Sequence, residues 1–261
     1  YGTCVASADG IGKTYQGREI AQVMGHPGIG WLERTEREKE EAPSKAIAAL
    51  KLAPDAVIAD IGAGSGYYTF RLAPLVPQGR VVAIDIQPEM LALVSRNAAR
   101  AKVTNVTPVL GTQTDPRLPD GAIDLVIMVD VYHEFSEPQK MLRRMHESLK
   151  PGGRLVLLEY RKEDPSIPIR PDHKMSVAEA KMEVEAEGYT LSSVDERLPR
   201  HAKAYRNFLE EHRRLQRERV AAFSEYIADV NEGRFPTRSN LVEMDSGLLQ
   251  QVIREIGQPA S

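Results

Sequence analysis

The sequence predicts an α/β fold: a doubly wound, mostly parallel sheet in three layers, with an N-terminal helical segment before it and a C-terminal helical extension after it. Three observations lead to this prediction. Short, nearly continuous apolar runs recur from Ala56 onward, stretches with helical spacing separate most of them, and a highly charged helical stretch follows Pro199. Such apolar runs are typical of strands buried on both faces, and helices between them are typical of connections between parallel strands.

The predicted elements follow one another in a regular order. The strands are residues 56–61, 80–85, 106–110, 123–129, 154–160 and, less strongly apolar, 189–194. The helices between them are residues 67–75, 88–101, 138–149 and 176–187. A long charged helix over 202–231 ends before Gly233 and Pro236, and a short one follows over 247–256. After Pro199 the sequence leaves two alternatives open: a very short seventh strand, or a sheet left open on that side.

The first part of the chain has no clear period. Residues 1–30 are rich in glycine and are expected to form loops with short turns, and 31–41 are a densely charged helix or the approach to one. Pro43 suits the first turn of a helix, whose apolar stripe includes Ala46 and Ile47. We therefore expect a tail or lid segment over 1–29, a cofactor domain over 30–198 and a helical extension over 199–261.

Composition excludes several classes of protein. The 261 residues are 42% hydrophobic and 27% charged, and 34 basic against 37 acidic residues give a net charge of −3, which disfavours a general nucleic-acid binder. No apolar run is long enough to span a bilayer. The one cysteine, Cys4, excludes an internal disulfide and a zinc–cysteine cluster, and no metal site is predicted.

A glycine loop is the most informative stretch. Asp60-Ile61-Gly62-Ala63-Gly64-Ser65-Gly66 follows a predicted strand and opens a predicted helix, and alternate glycines let the backbone turn sharply close to a ligand. A nicotinamide cofactor favours a third glycine where Tyr67 stands, and a carboxylate such as Asp60 repels a pyrophosphate. S-adenosylmethionine has no phosphate and carries an ammonium and a sulfonium, which the Asp60 carboxylate attracts. Charge therefore favours S-adenosylmethionine, with a nicotinamide-dependent oxidoreductase as the less favoured alternative.

A second acid stands at the end of the next strand. Asp85 is placed to accept both ribose hydroxyls, and Ile86 then lies against the adenine.

With these motifs the chain resembles the class I S-adenosylmethionine-dependent methyltransferases, which have a Rossmann-like fold. The similar stretches are residues 57–66, 82–85, 124–130 and 149–155, within a region of resemblance that covers about residues 30–198. The resemblance implies one set of cofactor-binding residues: Asp60, Gly62, Ala63, Gly64, Gly66, Asp85, Ile86, Gly111, Thr112, Val129 and Asp130. Thr112 departs from the family, which usually has at this position an acid that reaches the adenine amino group.

The methyl acceptor is expected beyond the strand 123–129, because ligands bind outside the carboxyl ends of parallel strands. Tyr132, His133 and Glu134 are the candidate catalytic residues: His133 titrates near neutrality, Glu134 can serve as a base or orient a cation, and Tyr132 can line the pocket. Structural roles for each are the alternative. The segment after this strand lacks the Asp/Asn-Pro-Pro-aromatic motif of amino-directed nucleic-acid enzymes, and the cysteines of cytosine-C5 and arsenite methyltransferases are missing. A small molecule, a lipid-like quinone precursor or a protein side chain remains.

These inferences predict a soluble, cytoplasmic methyltransferase acting on a small-molecule acceptor, with no nucleic-acid partner and with a homo-oligomer formed through the C-terminal helices. A non-catalytic binding or assembly module of the same fold is the alternative. Export is the alternative location, if Ala6-Ser7-Ala8 is the remnant of a signal-peptide cleavage site.

Overall fold

The computed structural model describes residues 1–195, 208–237 and 250 of the chain. The chain divides into two compact units, Tyr1–Tyr205 and Arg206–Ser261. The three-part division expected from the sequence stays a prediction.

The N-terminal residues form a small antiparallel sheet rather than the expected loops. Its strands are β1 (Gly2–Thr3), β2 (Gly10–Tyr15) and β3 (Arg18–Ala21), paired in that order. Sequence patterning does not reveal them because the strands are short and carry glycine and charged residues. Ser7, in the tripeptide that resembles a cleavage site, lies between β1 and β2 and donates a hydrogen bond to Asp172, so this tripeptide is part of the folded unit.

Three short helices lead from this sheet to the next one: α1 (Ile29–Leu32), α2 (Arg37–Glu41) and α3 (Pro43–Ala49). Pro43 begins α3, as predicted. The charged stretch is less solvated than its composition indicates, because Arg37 and Glu41 are buried and form an ion pair of 2.9 Å with each other.

The central sheet has five parallel strands in the order β6-β5-β4-β7-β8. Their bounds are β4 (Val57–Ile61), β5 (Arg80–Asp85), β6 (Val106–Leu110), β7 (Ile123–Val129) and β8 (Leu149–Leu158). The order reverses between β4 and β7, and this is the topological switch point at which ligands bind in such sheets. The predicted doubly wound fold is confirmed.

Helices cover the sheet and complete the core. They are α4 (Thr69–Leu72), α5 (Pro88–Ala101), α6 (Pro138–Ser148) and α7 (Val177–Glu185). The segment predicted as a helix over 67–75 is shorter, with a 3-10 turn at Ala73–Leu75 after α4. Apolar side chains of β4 and β7 alternate between two core clusters, which places Ala59 and Val126 on one side and Ile58 and Leu125 on the other.

Two predictions near the end of the first unit have different outcomes. Residues 189–194 were expected to form a sixth strand, but they form no strand in the structure, and several of their side chains are exposed, Leu191 and Val194 among them. This stretch has no neighbouring strand among the described residues to pair with. The position after Pro199, where a seventh strand was sought, lies outside the described residues.

In the second unit the long helix is confirmed over its described part, α8 (Phe208–Asn231), and it ends before Gly233 as expected. The expected helix over 247–256 lies outside the described part of the chain except for one residue. Among the described residues, no helix is both long and apolar enough to cross a membrane.

Candidate functional site

A cleft opens at the carboxyl ends of β4, β5 and β7. This is the edge of a doubly wound sheet at which ligands bind. Of the residues predicted from the sequence, those that line it are Gly62, Gly64, Asp85, Ile86, Thr112, Val129, Asp130 and Glu134.

The glycine loop crosses the end of β5 on its way out of β4. Backbone N–H groups of Gly62 and Ala63 both donate to the Ile84 carbonyl, at 2.8 and 2.9 Å. Gly62 has φ +70°, and a Cβ built there lies 2.5 Å from the Val131 side chain. Gly64 has φ +55°, and a Cβ there lies 2.8 Å from Leu32. Both positions therefore require glycine for the turn and for the close approach of cleft-lining side chains.

Asp85 is held by the loop and by its own strand end. Its Oδ2 accepts from the Gly64 N–H at 2.9 Å and its Oδ1 accepts from the Gln87 N–H at 2.9 Å. Burial raises the pKa of Asp85 above its usual value and outweighs these hydrogen bonds, which lower it. A carboxylate oxygen accepts more than one hydrogen bond, so the remaining acceptor capacity of Asp85 suits a pair of hydroxyls in the cleft.

Asp60 lies beneath the loop rather than on the surface of the cleft. It is buried, and its Oδ2 accepts a hydrogen bond of 2.6 Å from the Thr69 hydroxyl. Burial raises its pKa to about 6, in part offset by the Thr69 hydrogen bond. Its role toward the ammonium of a cofactor stays a prediction.

Some of the other predicted cofactor-binding residues line the cleft, and the rest lie behind the residues that line it. Ile86 lines the cleft and is 37% exposed, which suits a flat apolar contact. Thr112 also lines the cleft, but its hydroxyl accepts from the Asp115 N–H at 2.9 Å within a turn, so it is engaged locally. Gly111 supports the wall by donating its N–H to the Asp85 carbonyl at 2.9 Å. Gly66 and Ala63 stand behind the cleft surface.

The end of β7 makes a sharp turn at Asp130, whose φ of +54° is uncommon for a residue with a side chain. Its N–H donates to the Leu158 carbonyl at 2.8 Å. The turn brings Val129, Asp130 and Val131 to the cleft in sequence.

Of the three candidate catalytic residues, Tyr132 and His133 do not line the cleft. Tyr132 is fully buried, and its hydroxyl donates to Glu183 at 2.9 Å. Burial raises the pKa of Tyr132, and the Glu183 carboxylate raises it further. His133 is also buried, with Nδ1 at 2.6 Å from Glu159 and Nε2 at 3.0 Å from Nδ1 of His173. Burial opposes the charged imidazole, but Glu159 outweighs it and raises the pKa of His133 to about 9.

Glu134 does line the cleft. Its Oε1 accepts from the Met24 N–H at 3.2 Å and lies 3.9 Å from Nε2 of His133 and 4.0 Å from Nδ1 of His173. Burial raises its pKa to about 7 against the opposing attraction of His133.

Sequence reasoning missed part of the wall. The additional lining residues include Val23, Met24, Leu32, Gln87, Gln113, Ser136 and Met141. Gln87 links two parts of this wall, because its amide donates to the Met24 carbonyl at 3.0 Å and accepts from the His26 N–H at 2.8 Å. The N-terminal residues carry no motif that identifies them, whereas Gln87 and Gln113 stand next to predicted positions and position alone could have suggested them.

The site fits the group that the family resemblance implies. The cleft combines a glycine loop, the hydrogen-bonded Asp85 carboxylate and the partly exposed Ile86 side chain, whose roles toward ribose and adenine stay predictions. None of the residues named as lining the cleft is a lysine or arginine, as suits a cofactor without phosphate.

Comparison with known proteins agrees with this geometry. Residues 58–153 match the family described as "Methyltransferase domain". A demethylmenaquinone methyltransferase of Thermus thermophilus is 34% identical over 112 residues, which are 43% of this chain and 50% of that protein. An arsenite methyltransferase of Halobacterium salinarum is 32% identical over 114 residues, 43% of this chain and 29% of that protein. The chain thus spans half or less of the length of these curated relatives.

A solved structure extends the similarity to a larger part of the chain. The crystal structure of an S-adenosylmethionine-dependent methyltransferase from Aquifex aeolicus is similar with a TM-score of 0.64 and 26% identity, over 68% of this chain and 94% of that one. Residues 58–153, which match the methyltransferase domain, include the glycine loop, Asp85 and the β7 turn. This part of the chain is thus similar to methyltransferase domains, and the chain shares its fold with an S-adenosylmethionine-dependent methyltransferase.

Proposed function

We propose that this chain transfers a methyl group from S-adenosylmethionine to a small-molecule acceptor. The observation that carries the proposal is the position of Asp85 and the glycine loop together at the switch point of the sheet, in one cleft with Glu134. When bound, S-adenosylmethionine supplies an electrophilic methyl group on a positively charged sulfur.

The residues of the chain have separate tasks in this proposal. Gly62 and Gly64 bring the backbone close to the methionine part, and the buried Asp60 carboxylate attracts its ammonium. Asp85 binds the ribose, and Ile86 contacts the adenine. Methyl transfer is an in-line displacement, so the main contribution of the protein is to align donor and acceptor and to exclude water.

The acceptor side of the cleft supports an apolar substrate. Several side chains around Glu134 are apolar: Val23, Met24, Leu32, Val131 and Phe135. The name of the Thermus thermophilus relative indicates a quinone precursor as its acceptor, and we propose an apolar ring compound of that general class here. Arsenite is disfavoured, because Cys4 is the one cysteine of the chain.

Equilibrium binding tests the cofactor part of the proposal. We expect S-adenosylhomocysteine to bind at micromolar concentration in isothermal titration calorimetry, and Asp85→Ala to weaken it roughly 10–100-fold, because hydrogen bonds to a charged group are lost. Asp120→Ala, an exposed acid away from the cleft, is the control and should bind as the wild type does. Undetectable binding by the wild type would refute the proposal.

A turnover assay tests the acceptor part. We expect radiolabelled methyl to enter naphthoquinol or phenol acceptors and to be absent from peptides and RNA. Cofactor binding without turnover on any acceptor would favour the non-catalytic alternative, whereas a rise in NADH fluorescence on titration would favour the oxidoreductase.

Two further parts of the proposal concern the whole chain. A cytoplasmic location suits the exposed free thiol of Cys4, since such thiols persist in reducing compartments. Self-association through α8 suits its exposed apolar side chains, which include Phe223 and Ile227.

A further inference from the structure

A cluster of two histidines and a glutamate lies beside the cleft. Nε2 of His133 and Nδ1 of His173 face each other at 3.0 Å, and Oε1 of Glu134 lies 3.9 Å and 4.0 Å from them. The three atoms thus form a small triangle whose corners come from the β7 turn and from the segment before α7. The predictions drawn from the sequence include no metal site.

The far nitrogens of both imidazoles face carboxylates. Nδ1 of His133 is 2.6 Å from Glu159, and Nε2 of His173 is 3.8 Å from Asp9. A carboxylate within hydrogen-bond distance, as Glu159 is to His133, holds the imidazole proton on that side and directs the lone pair of the other nitrogen outward, whereas 3.8 Å is too long for such a bond from His173 to Asp9. The facing nitrogens, 3.0 Å apart, are close enough to share a proton or to bind one metal ion between them.

The dimensions of the triangle suit a metal ion. The point equidistant from the corners of a triangle with sides of 3.0, 3.9 and 4.0 Å lies about 2.1 Å from each corner, which matches zinc–nitrogen and zinc–oxygen bonds of about 2.0–2.2 Å. Two histidines and one carboxylate are also a ligand set that catalytic zinc and non-haem iron sites use, with positions left open for water or substrate.

A second group, Asp130, His133 and Glu159, shares His133. In that group the 2.6 Å separation of Nδ1 and Glu159 is that of a hydrogen bond and is shorter than the spacing of two ligands on one ion. Glu159 also accepts from the N–H groups of Val131 and Tyr132, at 3.2 and 2.8 Å. Glu159 therefore acts as the outer partner that orients His133.

We propose that His133, His173 and Glu134 bind one divalent transition-metal ion, with Glu159 as the outer partner that orients His133. Access is from the side of His173, whose side chain is 25% exposed while that of His133 is 1% exposed. Glu134 lines the cleft, so an open coordination position faces the expected acceptor, where a metal lowers the pKa of a bound oxygen acid. A role in methyl transfer rests on the proposed function, whereas metal binding does not.

Metal titration of the full chain tests the site. The protein, free of any affinity tag and carrying Cys4→Ser to remove the exposed thiol, is stripped with a chelator and titrated with Zn²⁺ by calorimetry and with Co²⁺ by visible absorption. We expect one ion per chain at micromolar affinity or tighter, with a Co²⁺ spectrum of nitrogen and oxygen ligation.

Three variants separate a metal site from a structural cluster. His173→Gln should weaken Zn²⁺ binding at least about 100-fold, and Glu159→Gln about 10–100-fold, as expected for loss of an outer partner. His146 is an exposed histidine whose ring meets that of Tyr189 edge to face, and His146→Gln should leave Zn²⁺ binding unchanged. Binding of S-adenosylhomocysteine by the His173→Gln variant shows that its fold is intact.

Two results would overturn the inference. One is failure of the wild type to bind either ion, which would mean that a proton alone bridges the imidazoles. The other is equal binding by the His173→Gln and His146→Gln variants. Metal binding without binding of S-adenosylhomocysteine would instead refute the proposed function and leave the metal site standing.

Discussion

The buried ion pair between Arg18 and Glu183 joins the N-terminal sheet to α7, and replacing Arg18 by methionine should destabilise the first unit. Arg18 donates from Nε and Nη2 to the two oxygens of Glu183, at 2.7 and 2.9 Å, and from Nη1 to the His133 carbonyl at 3.1 Å. The two side chains are 4% and 0% exposed. In the Arg18→Met variant the Glu183 carboxylate stays buried without its cation, with Tyr132 as its remaining hydrogen-bond donor among the partners described.

The expected cost follows from this burial. Removing one partner of a buried pair costs about 3–5 kcal/mol, because it leaves a buried charge uncompensated. At about 2–4 °C per kcal/mol for a unit of this size, the melting temperature should fall by roughly 6–20 °C. Arg18→Met combined with Glu183→Leu removes both charges, so the double variant should cost about 2–3 kcal/mol less than the sum of the two single variants.

Urea unfolding followed by circular dichroism measures these free energies. Arg143→Met is the matched control, since Arg143 forms an ion pair of 2.6 Å with Glu187 just after α7 but is 61% exposed. Glu187 is 3% exposed but keeps the hydrogen bonds from the Tyr15 hydroxyl and the Gln139 amide, so loss of Arg143 should cost about 1 kcal/mol. The reasoning fails if Arg18→Met costs no more than the control, or if the two changes in the double variant are simply additive.

Three further predictions concern the cleft and the tail. Burial raises the pKa of Asp60 from 3.8 to about 6, so protonation of Asp60 favours the folded state. Relative to Asp60→Asn, the wild type should therefore lose about 3 kcal/mol of unfolding free energy as the pH rises from about 4 to 6. A difference between the two proteins that stays constant over that range in urea unfolding would contradict this. Gly62→Ala should lower both the melting temperature and the affinity for S-adenosylhomocysteine. Gly152→Ala is the control, because Gly152 has a similar positive φ with open space around it and should lose only the backbone cost of about 1–2 kcal/mol. Equal losses in the two variants would refute a steric cause at Gly62. Phe223→Glu should shift the sedimentation coefficient toward that of a monomer. Ser224→Glu adds the same charge and should not. An identical coefficient for both variants would argue against self-association through α8.

The parallel sheet could be predicted from sequence because its signals are local. The observed bounds of β5, β6 and β7 match those expected from their apolar runs, since each strand is bounded by residues that favour turns. Helix α5 also agrees, because Pro88 sets its start and Lys102, in the left-handed region, ends it. Burial of a continuous apolar run between two helical layers leaves little freedom in where a strand begins or ends.

The candidate site was predictable where a motif and a strand end coincide, as at Gly62, Gly64 and Asp85. It was not predictable where function depends on contacts between distant parts of the chain. His133 and His173 are 40 residues apart, Arg18 and Glu183 are 165 apart, and no periodicity connects either pair. Tyr132 and His133 follow the right strand, but the turn at Asp130 directs the chain so that Glu134, and neither of them, reaches the cleft.

The wall that the N-terminal segment contributes bears on how the chain can be dissected and recombined. Met24 binds Glu134 through its backbone N–H, and Gln87 is hydrogen-bonded to both Met24 and His26, although all of these N-terminal residues precede the matched methyltransferase domain. A fragment cut at the boundaries of that domain would retain the glycine loop and Asp85 and lose one side of the cleft. Under the proposed function, exchange of residues 1–36 between relatives of this chain should therefore change one wall of the cleft and leave the glycine loop and Asp85 as they are.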